Sequence, residues 1–302
     1  MSQTEREKRA QERKNRLVRY FTEPPDPRDR TVARVFVILG GAALLAAGTI
    51  GLRWGVPLGL PALFVAAVCT VIGVDGLLRY RKRYGKAYPR PADQEMDGLL
   101  AAELVRIRTV SLEKLGVTAD DLELTGEGWD PVAALERGGP VLAPVERRPL
   151  VVFGPAETAR EEFGRDHVWR FSAYRVMAIC PTQFNLGLYL CTVDLLTGAL
   201  SHEETREYSY DDVVAITTVT VGEQEPAREV TLRDEEVRFA RALLRELQIV
   251  TSGGDTPRIA VAVPVHDGRA QANLQASGIE LVIASVRRVL RDRTPVGSLE
   301  QI

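Results

Sequence analysis

Apolar and polar positions are distributed unevenly along the chain, and the sharpest pattern lies in its first third. Residues 1–30 are dominated by charge and end in EPPDPRDR. From Val35 to Leu52 there is no charged residue; Arg53 and Trp54 follow, and Gly55 to Val74 are again uncharged up to Asp75. A helix needs about 20 apolar residues to cross a hydrocarbon core. The pattern therefore predicts two transmembrane helices, at about 35–52 and 55–78, within a hairpin spanning 31–90. Arg53, Pro57 and Pro61 mark the tight turn between them, because proline is tolerated in a first helical turn, where its missing N–H costs nothing. Helices joined this closely are antiparallel neighbours. A cleaved signal peptide does not fit, since a charged stretch of over 30 residues precedes the first apolar run. A buried hairpin of a soluble fold would need two such uninterrupted apolar helices side by side.

Beyond Pro91 the pattern changes to that of a water-soluble domain. Leu99, Leu100, Leu104 and Ile107 recur at helical spacing and predict a helix over 93–109, with a second short helix at 111–115 stopped by Gly116. Glycine and proline punctuate 126–149, which reads as loop with one helical turn at 132–136. Residues 91–165 thus form a connector of helix and loop. From Val168 onward the signal is strand. WRFSAYRVMAIC and FNLGLYLCTVDLL are followed by a Thr197-Gly198 turn, and then by EETREYSY and DDVVAITTVTV. LQIVTS and RIAVAV flank Gly253-Gly254-Asp255, a strong hairpin signal. Residues 234–244 are ambiguous, because Val237, Ala240, Leu243 and Leu244 also keep helical spacing.

The last element has the clearest start. Ser277 and Glu280 form a capping box ahead of an apolar stripe at Ile279, Val282, Ile283, Val286 and Leu290. Arg287, Arg288, Arg291 and Arg293 fill its final turns, where cations suit the helix dipole, and Pro295 follows. A run of antiparallel strands closed by an amphipathic helix resembles the pleckstrin-homology-like fold. The resemblance covers roughly 168–292 and rests on EYSYDDVVAITT, the SGGD hairpin and the ASVRRVLRD helix. The whole layout is also similar to uncharacterised bacterial membrane proteins that carry a two-helix anchor before such a module. The expected fold class is α+β: a transmembrane helical hairpin, then a β-rich, pleckstrin-homology-like domain over 166–295 closed by a C-terminal amphipathic helix. That resemblance implies binding of lipid head groups, peptides or partner proteins.

Charge adds orientation. Arg28, Arg30 and Arg34 precede the first apolar run; Arg79, Arg81, Lys82, Arg83, Lys86 and Arg90 follow the second; the turn between offers only Arg53. By the positive-inside rule both termini are cytosolic, which places the chain as a two-pass protein of a bacterial cytoplasmic membrane. Tyr80, Tyr84 and Tyr88 interleave the second cluster, and Trp54 sits at the opposite end. Arg79, Arg81, Lys82, Arg83 and Lys86 are the candidate membrane-surface contact, since juxtamembrane cations attract anionic lipid. Small residues recur at four-residue spacing, Ala43-Ala47-Gly51 and Ala62-Ala66-Thr70, and let helices approach closely within the hairpin or in a homo-oligomer. No ionisable residue lies deep in either run, which argues against a transporter. The N-terminal 30 residues, broken by Pro24, Pro25 and Pro27, lack an apolar stripe and are expected to be a solvated, disordered tail.

Chemistry is thin. A formal net charge of -2 gives no reason to expect nucleic acid. Three cysteines form no CxxC, and His167, His202 and His266 form no metal-binding spacing. There is no phosphate loop, dinucleotide fingerprint or nucleophile elbow. Cys180, beside Pro181, is the one candidate thiol. The acidic pairs Asp120-Asp121, Glu203-Glu204, Asp211-Asp212 and the run Asp234–Glu236 lie at element boundaries, where solvated turns are common. No cofactor is expected. The reading is a membrane-anchored, non-enzymatic binding, scaffold or sensor module with membrane lipid and a protein as partners. The alternatives are a membrane effector whose hairpin oligomerises, and an enzyme acting at the membrane surface.

Overall fold

The computed structural model describes residues 11, 14–54, 56–123, 127–129, 135, 142–144, 147–166, 168–221, 228–232, 235–265 and 279–293. The chain divides into two compact units, Met1–Pro91 and Ala92–Ile302. In the first, helix α1 (Pro27–Trp54) and helix α2 (Val56–Ala87) are long and apolar enough to cross a membrane. At 1.5 Å per residue they measure about 42 and 48 Å, more than the apolar runs alone, because the flanking charged residues continue both helices. Pro27 opens α1 at the first helical position, as its fixed φ allows.

The expectation of a solvated tail fails over residues 14–21. Residues 14–20 are helical, and Leu17, Tyr20 and Phe21 are buried. These positions are spaced i, i+3 and i+4, a one-turn apolar stripe too short to stand out among the surrounding charges. Arg90 holds this segment: its guanidinium donates to the Tyr20 and Thr22 carbonyls (2.8 and 3.2 Å) and lies over the Tyr20 ring.

In the second unit, helix α3 runs unbroken over Asp93–Leu115 and ends at Gly116, whose φ of 65° suits a residue without a Cβ. The sequence divides this helix near Ser111. That break disappears because the Ser111 hydroxyl bonds back to the Arg108 carbonyl (2.8 Å), leaving the buried side chain satisfied inside the helix. Two short strands, β1 (Glu127–Trp129) and β2 (Leu142–Pro144), pair within the segment expected as loop. The predicted turn at 132–136 lies outside the described residues except position 135. Strand β3 (Leu150–Pro155) follows, then the small hairpin β4 (Glu161–Phe163) and β5 (Trp169–Phe171).

Strands β6 (Ala173–Pro181), β7 (Asn185–Asp194) and β8 (Ala199–Ser209) complete an antiparallel sheet in the order β3-β6-β7-β8. A second sheet is built from β9 (Val213–Val221), β11 (Glu235–Thr251) and β12 (Arg258–Val265), with β10 (Arg228–Leu232) paired to the first part of β11. The ambiguous stretch 234–244 is therefore strand from Glu235 onward, its pairing with β10 and β12 overriding the helical spacing. The β11–β12 hairpin turns at Gly254, with φ of 81°. Helix α4 covers Ile279–Arg293; Ser277, the expected cap, lies outside the described residues.

Along β3, β6 and β7 both faces of the first sheet are buried, while β8 is half-buried to exposed. On the inner face, Val152, Met177, Ile179, Leu188 and Leu190 join Ile216, Leu247, Ile249, Ile259 and Val261 of the second sheet and Val282, Ile283, Val286 and Val289 of α4 in one core. On the other face Val151, Val176, Ala178, Cys180, Tyr189 and Cys191 are also buried. Helix α3 covers them: the Ser111 hydroxyl lies 4.0 Å from Cys180 Sγ, and a Cβ on Gly187 would sit 3.1 Å from Leu115 Cδ1. This explains the nearly unbroken apolar reading of β6 and β7, since a strand covered on both sides shows no alternation. It also corrects the expected connector at 91–165. Helix α3 is one layer of the domain and β3 is a sheet strand.

A single buried cation ties α3 to the β4–β5 hairpin. Arg170, 3% exposed, donates from Nε and Nη2 to the Asp97 carboxylate (2.8 and 2.6 Å) and from Nη1 and Nη2 to that of Asp166 (2.8 and 2.5 Å). Burial pushes the Asp166 carboxyl up, but the Arg170 hydrogen bonds and charge outweigh it and hold the group below its ordinary 3.8. Arg170→Met leaves two carboxylates without their cation. The expected cost is about 3 kcal/mol, the low end for a broken buried pair because Asp166 keeps contact with water, or a fall in melting temperature of roughly 6–12 °C. A carboxyl held low in the fold stabilises it above the ordinary carboxylate range and loses that contribution as pH falls through its folded value. Thermal melts should therefore show the wild type losing stability below about pH 4, with a shallower acid dependence in Arg170→Met.

Candidate functional site

The hairpin is held by backbone approaching backbone. Along α1 the buried small residues are Ala33, Gly40 and Ala47, seven apart; along α2, Ala66 and Gly73 repeat at the same interval. A Cβ on Gly73 would sit 2.7 Å from the Val37 N and 2.9 Å from the Ala33 O. One on Gly40 would collide with the Thr70 hydroxyl and sit 3.0 Å from its N. A seven-residue repeat is the mark of two helices wound along a shared seam, and small residues there let the backbones meet.

Of the stripe expected from sequence, Ala47 and Ala66 are buried, Ala43 and Thr70 are half-buried, and the side chains of Gly51 and Ala62 are outside the described residues. Ala33, Gly40 and Gly73 fall outside a stripe read at four-residue spacing. The seven-residue repeat Ala33, Gly40, Ala47 against Ala66, Gly73 carries the signal. Large apolar residues point the other way: Ile38, Leu45, Phe64 and Val71 are 69%, 76%, 71% and 68% exposed. Gly41 and Gly48 also face open space.

At the far end of α2, Arg79, Arg81, Lys82, Arg83 and Lys86 are all exposed. Tyr80, Tyr84 and Tyr88 stack beside them at four-residue spacing, with ring centroids 6.0 and 4.4 Å apart. Arg79 pairs with Asp75 (2.6 Å), and Arg83 reaches Asp29 on α1 (3.9 Å).

Burial pushes the Cys180 thiol up to about 12 and the Cys191 thiol up to about 11, which disfavours the thiolate at both. Glu203 accepts from the Tyr189 hydroxyl (2.8 Å) and pairs with Lys114 (3.0 Å), and both hold its carboxyl below the usual range. Asp121 caps Thr118, Asp120 pairs with Arg147, and Asp212 accepts from Ser252 (2.9 Å). Asp255, in the β11–β12 turn, takes Tyr208 and Arg206 from β8, which hold it low and lock the hairpin tip onto the first sheet. Asp234 and the side chains of Glu235 and Glu236 are outside the described residues, as are His167 and His266; His202 is exposed on β8.

The unsatisfied surface is an edge. Among the described residues β9 pairs with β11 and with no other strand. Ile216 stands opposite Ile249, whose N–H donates to Pro257 on the β12 side (3.0 Å), so the Ile216 N–H and C=O point away from β11. Arg287 of α4 donates to that outward carbonyl (3.1 Å), which satisfies it within the domain. Two residues on, Thr218 has the same outward parity and is exposed, with Val214 and Val219 exposed to either side at 65% and 42%. Arg288 and Arg291 are exposed on α4. No family model, curated protein or solved structure matches the chain.

The seam can be tested by a cross-link. In an Ala33→Cys/Gly76→Cys background, where a Gly76 Cβ would lie 3.0 Å from that of Ala33, oxidation should join the helices readily. Adding Gly73→Leu should cut the cross-linked fraction severalfold on gels, while Gly41→Leu, which faces open space, should leave it unchanged.

Proposed function

We propose that the chain is a membrane-anchored, non-enzymatic binding module: the α1–α2 hairpin spans a bacterial cytoplasmic membrane with both termini in the cytosol, and the second unit takes up an extended segment of a partner protein. The observation that carries the binding reading is the β9 edge, where the exposed Thr218 has outward backbone groups that can continue a ladder, the outward Ile216 carbonyl being taken by Arg287. The exposed Val214 and Val219 offer apolar contacts, and Arg288 and Arg291 favour an acidic strand. The order of elements supports the pleckstrin-homology-like reading: a four-strand antiparallel sheet, a second sheet of β9 to β12, then a terminal helix with apolar residues in the core. The apolar exterior of the hairpin, with charges only at one end and at the turn, supports the membrane placement.

A second reading, a membrane effector whose hairpin self-associates, rests on Gly41 and Gly48. The inner small-residue stripe is consumed by the α1–α2 contact, so self-association would use this outward pair. Bulky substitution at Gly41 and Gly48 would then abolish an oligomer seen in mild detergent and leave a binding module unaffected.

Thr218→Pro separates edge binding from the rest of the fold. Its N–H points away from β11, so proline there removes no ladder bond within the domain yet blocks an added strand. Proteins cross-linked in intact membranes and recovered with the wild-type chain should be lost with Thr218→Pro, at an unchanged melting temperature. Equal recovery by both forms would show that the edge is not the site.

A further inference from the structure

Counted along the helices from the turn at residue 55, Arg34 and Asp75 both lie about 30 Å away, the thickness of a hydrocarbon core. The basic residues of α1 (Arg28, Arg30, Arg34) and of α2 (Arg79, Arg81, Lys82, Arg83, Lys86) therefore lie at that boundary or within about 16 Å beyond it. All eight are exposed. The acids at this level are Asp26, Asp29 and Asp75. Asp75 takes Arg79 (2.6 Å), Asp29 takes Arg83 (3.9 Å), and Asp26 accepts from the Arg28 backbone N–H (2.8 Å). Arg30, Arg34, Arg81, Lys82 and Lys86 have no acidic partner among the described residues, so these five cations carry no counter-charge there. The stacked phenols of Tyr80, Tyr84 and Tyr88 stand among these cations, and tyrosine hydroxyls at headgroup depth donate to phosphate and ester oxygens. A ring of unneutralised cations with interleaved phenols, directly adjoining an apolar band, fits one ligand chemistry: a phosphate that is itself attached to acyl chains.

We infer that this collar binds the headgroup phosphates of anionic phospholipids, selecting them from the surrounding bilayer. Arg30 and Arg34 on one helix and Arg81, Lys82 and Lys86 on the other supply the charge, and the Asp29–Arg83 pair bridges the two helices between them. The inference rests on the membrane placement proposed above and deepens it by naming the lipid class. It gives the basic residues a role beyond setting orientation, which charge alone would satisfy without selecting a lipid.

The test uses full-length protein reconstituted into vesicles of phosphatidylcholine and phosphatidylglycerol, with flotation confirming insertion. Spin-labelled phosphatidylglycerol and phosphatidylcholine report the motionally restricted lipid around the helices. The wild type should prefer phosphatidylglycerol by at least about fivefold, equivalent to the attraction of a single such cation, and the preference should fade in high salt. The variant Arg81→Gln/Lys82→Gln/Arg83→Gln/Lys86→Gln should lose most of it. The charge-keeping Arg81→Lys/Arg83→Lys should retain it, and the Ala33→Cys/Gly76→Cys cross-link reports that each variant keeps its hairpin. Equal restriction of both lipids by the wild type, or an unchanged preference in the glutamine variant, would overturn the proposal. So would displacement of the labelled lipid by inorganic phosphate at constant ionic strength, since the site would then take free phosphate. Failure to float with the vesicles would instead sink the membrane placement itself.

Discussion

Strands β3, β6 and β7 are apolar on both faces, and the need to cover both places the elements around them. On one face Met177, Leu188 and Leu190 share a core with Ile216, Ile249 and Val261 of the second sheet and Val282 and Val286 of α4. The other is closed by α3, through Leu100, Leu104, Ile107 and Leu115. Fully burying a side chain of this size is worth about 1.5–3 kcal/mol, so neither cover is dispensable. Polar contacts then fix how the covers sit. Arg170 joins α3 to the β4–β5 hairpin, Lys114 and Tyr189 meet at Glu203, and Asp255 pins the second sheet's hairpin to β8. At β3 the two sheets come so close that a Cβ on Gly154 would collide with the Ala260 carbonyl.

The hairpin inverts this arrangement. Its interior is made of the smallest residues and its exterior of the largest apolar ones, with Ile38, Leu45, Phe64 and Val71 turned outward. In water, a contiguous apolar exterior marks an interaction surface. In lipid it costs nothing, and association depends on close packing of backbones. Gly40 and Gly73 provide that packing, which is why the seam repeats every seven residues and admits no side chain at those points.

Among the acidic pairs, Asp120, Glu203 and Glu204 meet cations and Asp121 bonds Thr118, and the two sheet cysteines are buried thiols. The second unit exposes the β9 edge at Thr218, with Val214 and Val219 exposed beside it, and the arginines of α4. A binding role argued from that edge needs no reactive residue, which is consistent with a chain so poor in catalytic motifs.

The sequence by itself determined the elements whose signals are local. The two apolar helices, a helix starting at Asp93, the stop at Gly116, the Gly254 hairpin and the terminal amphipathic helix all follow from runs, periods and turn residues a few positions apart, although the join across Ser111 does not. Only the tertiary structure decided what depends on distant partners. Residues 235–244 are strand because β10 and β12 pair with them, against a helical spacing that is equally legible. Strand β3 and helix α3 belong to the domain because they cover or extend a sheet formed mostly after residue 170. The true seam of the hairpin needed both helices in place, since which small residue matters depends on what stands opposite it. That β9 stands at an edge among the described residues is likewise invisible in the chain, because an edge is defined by pairing with distant strands.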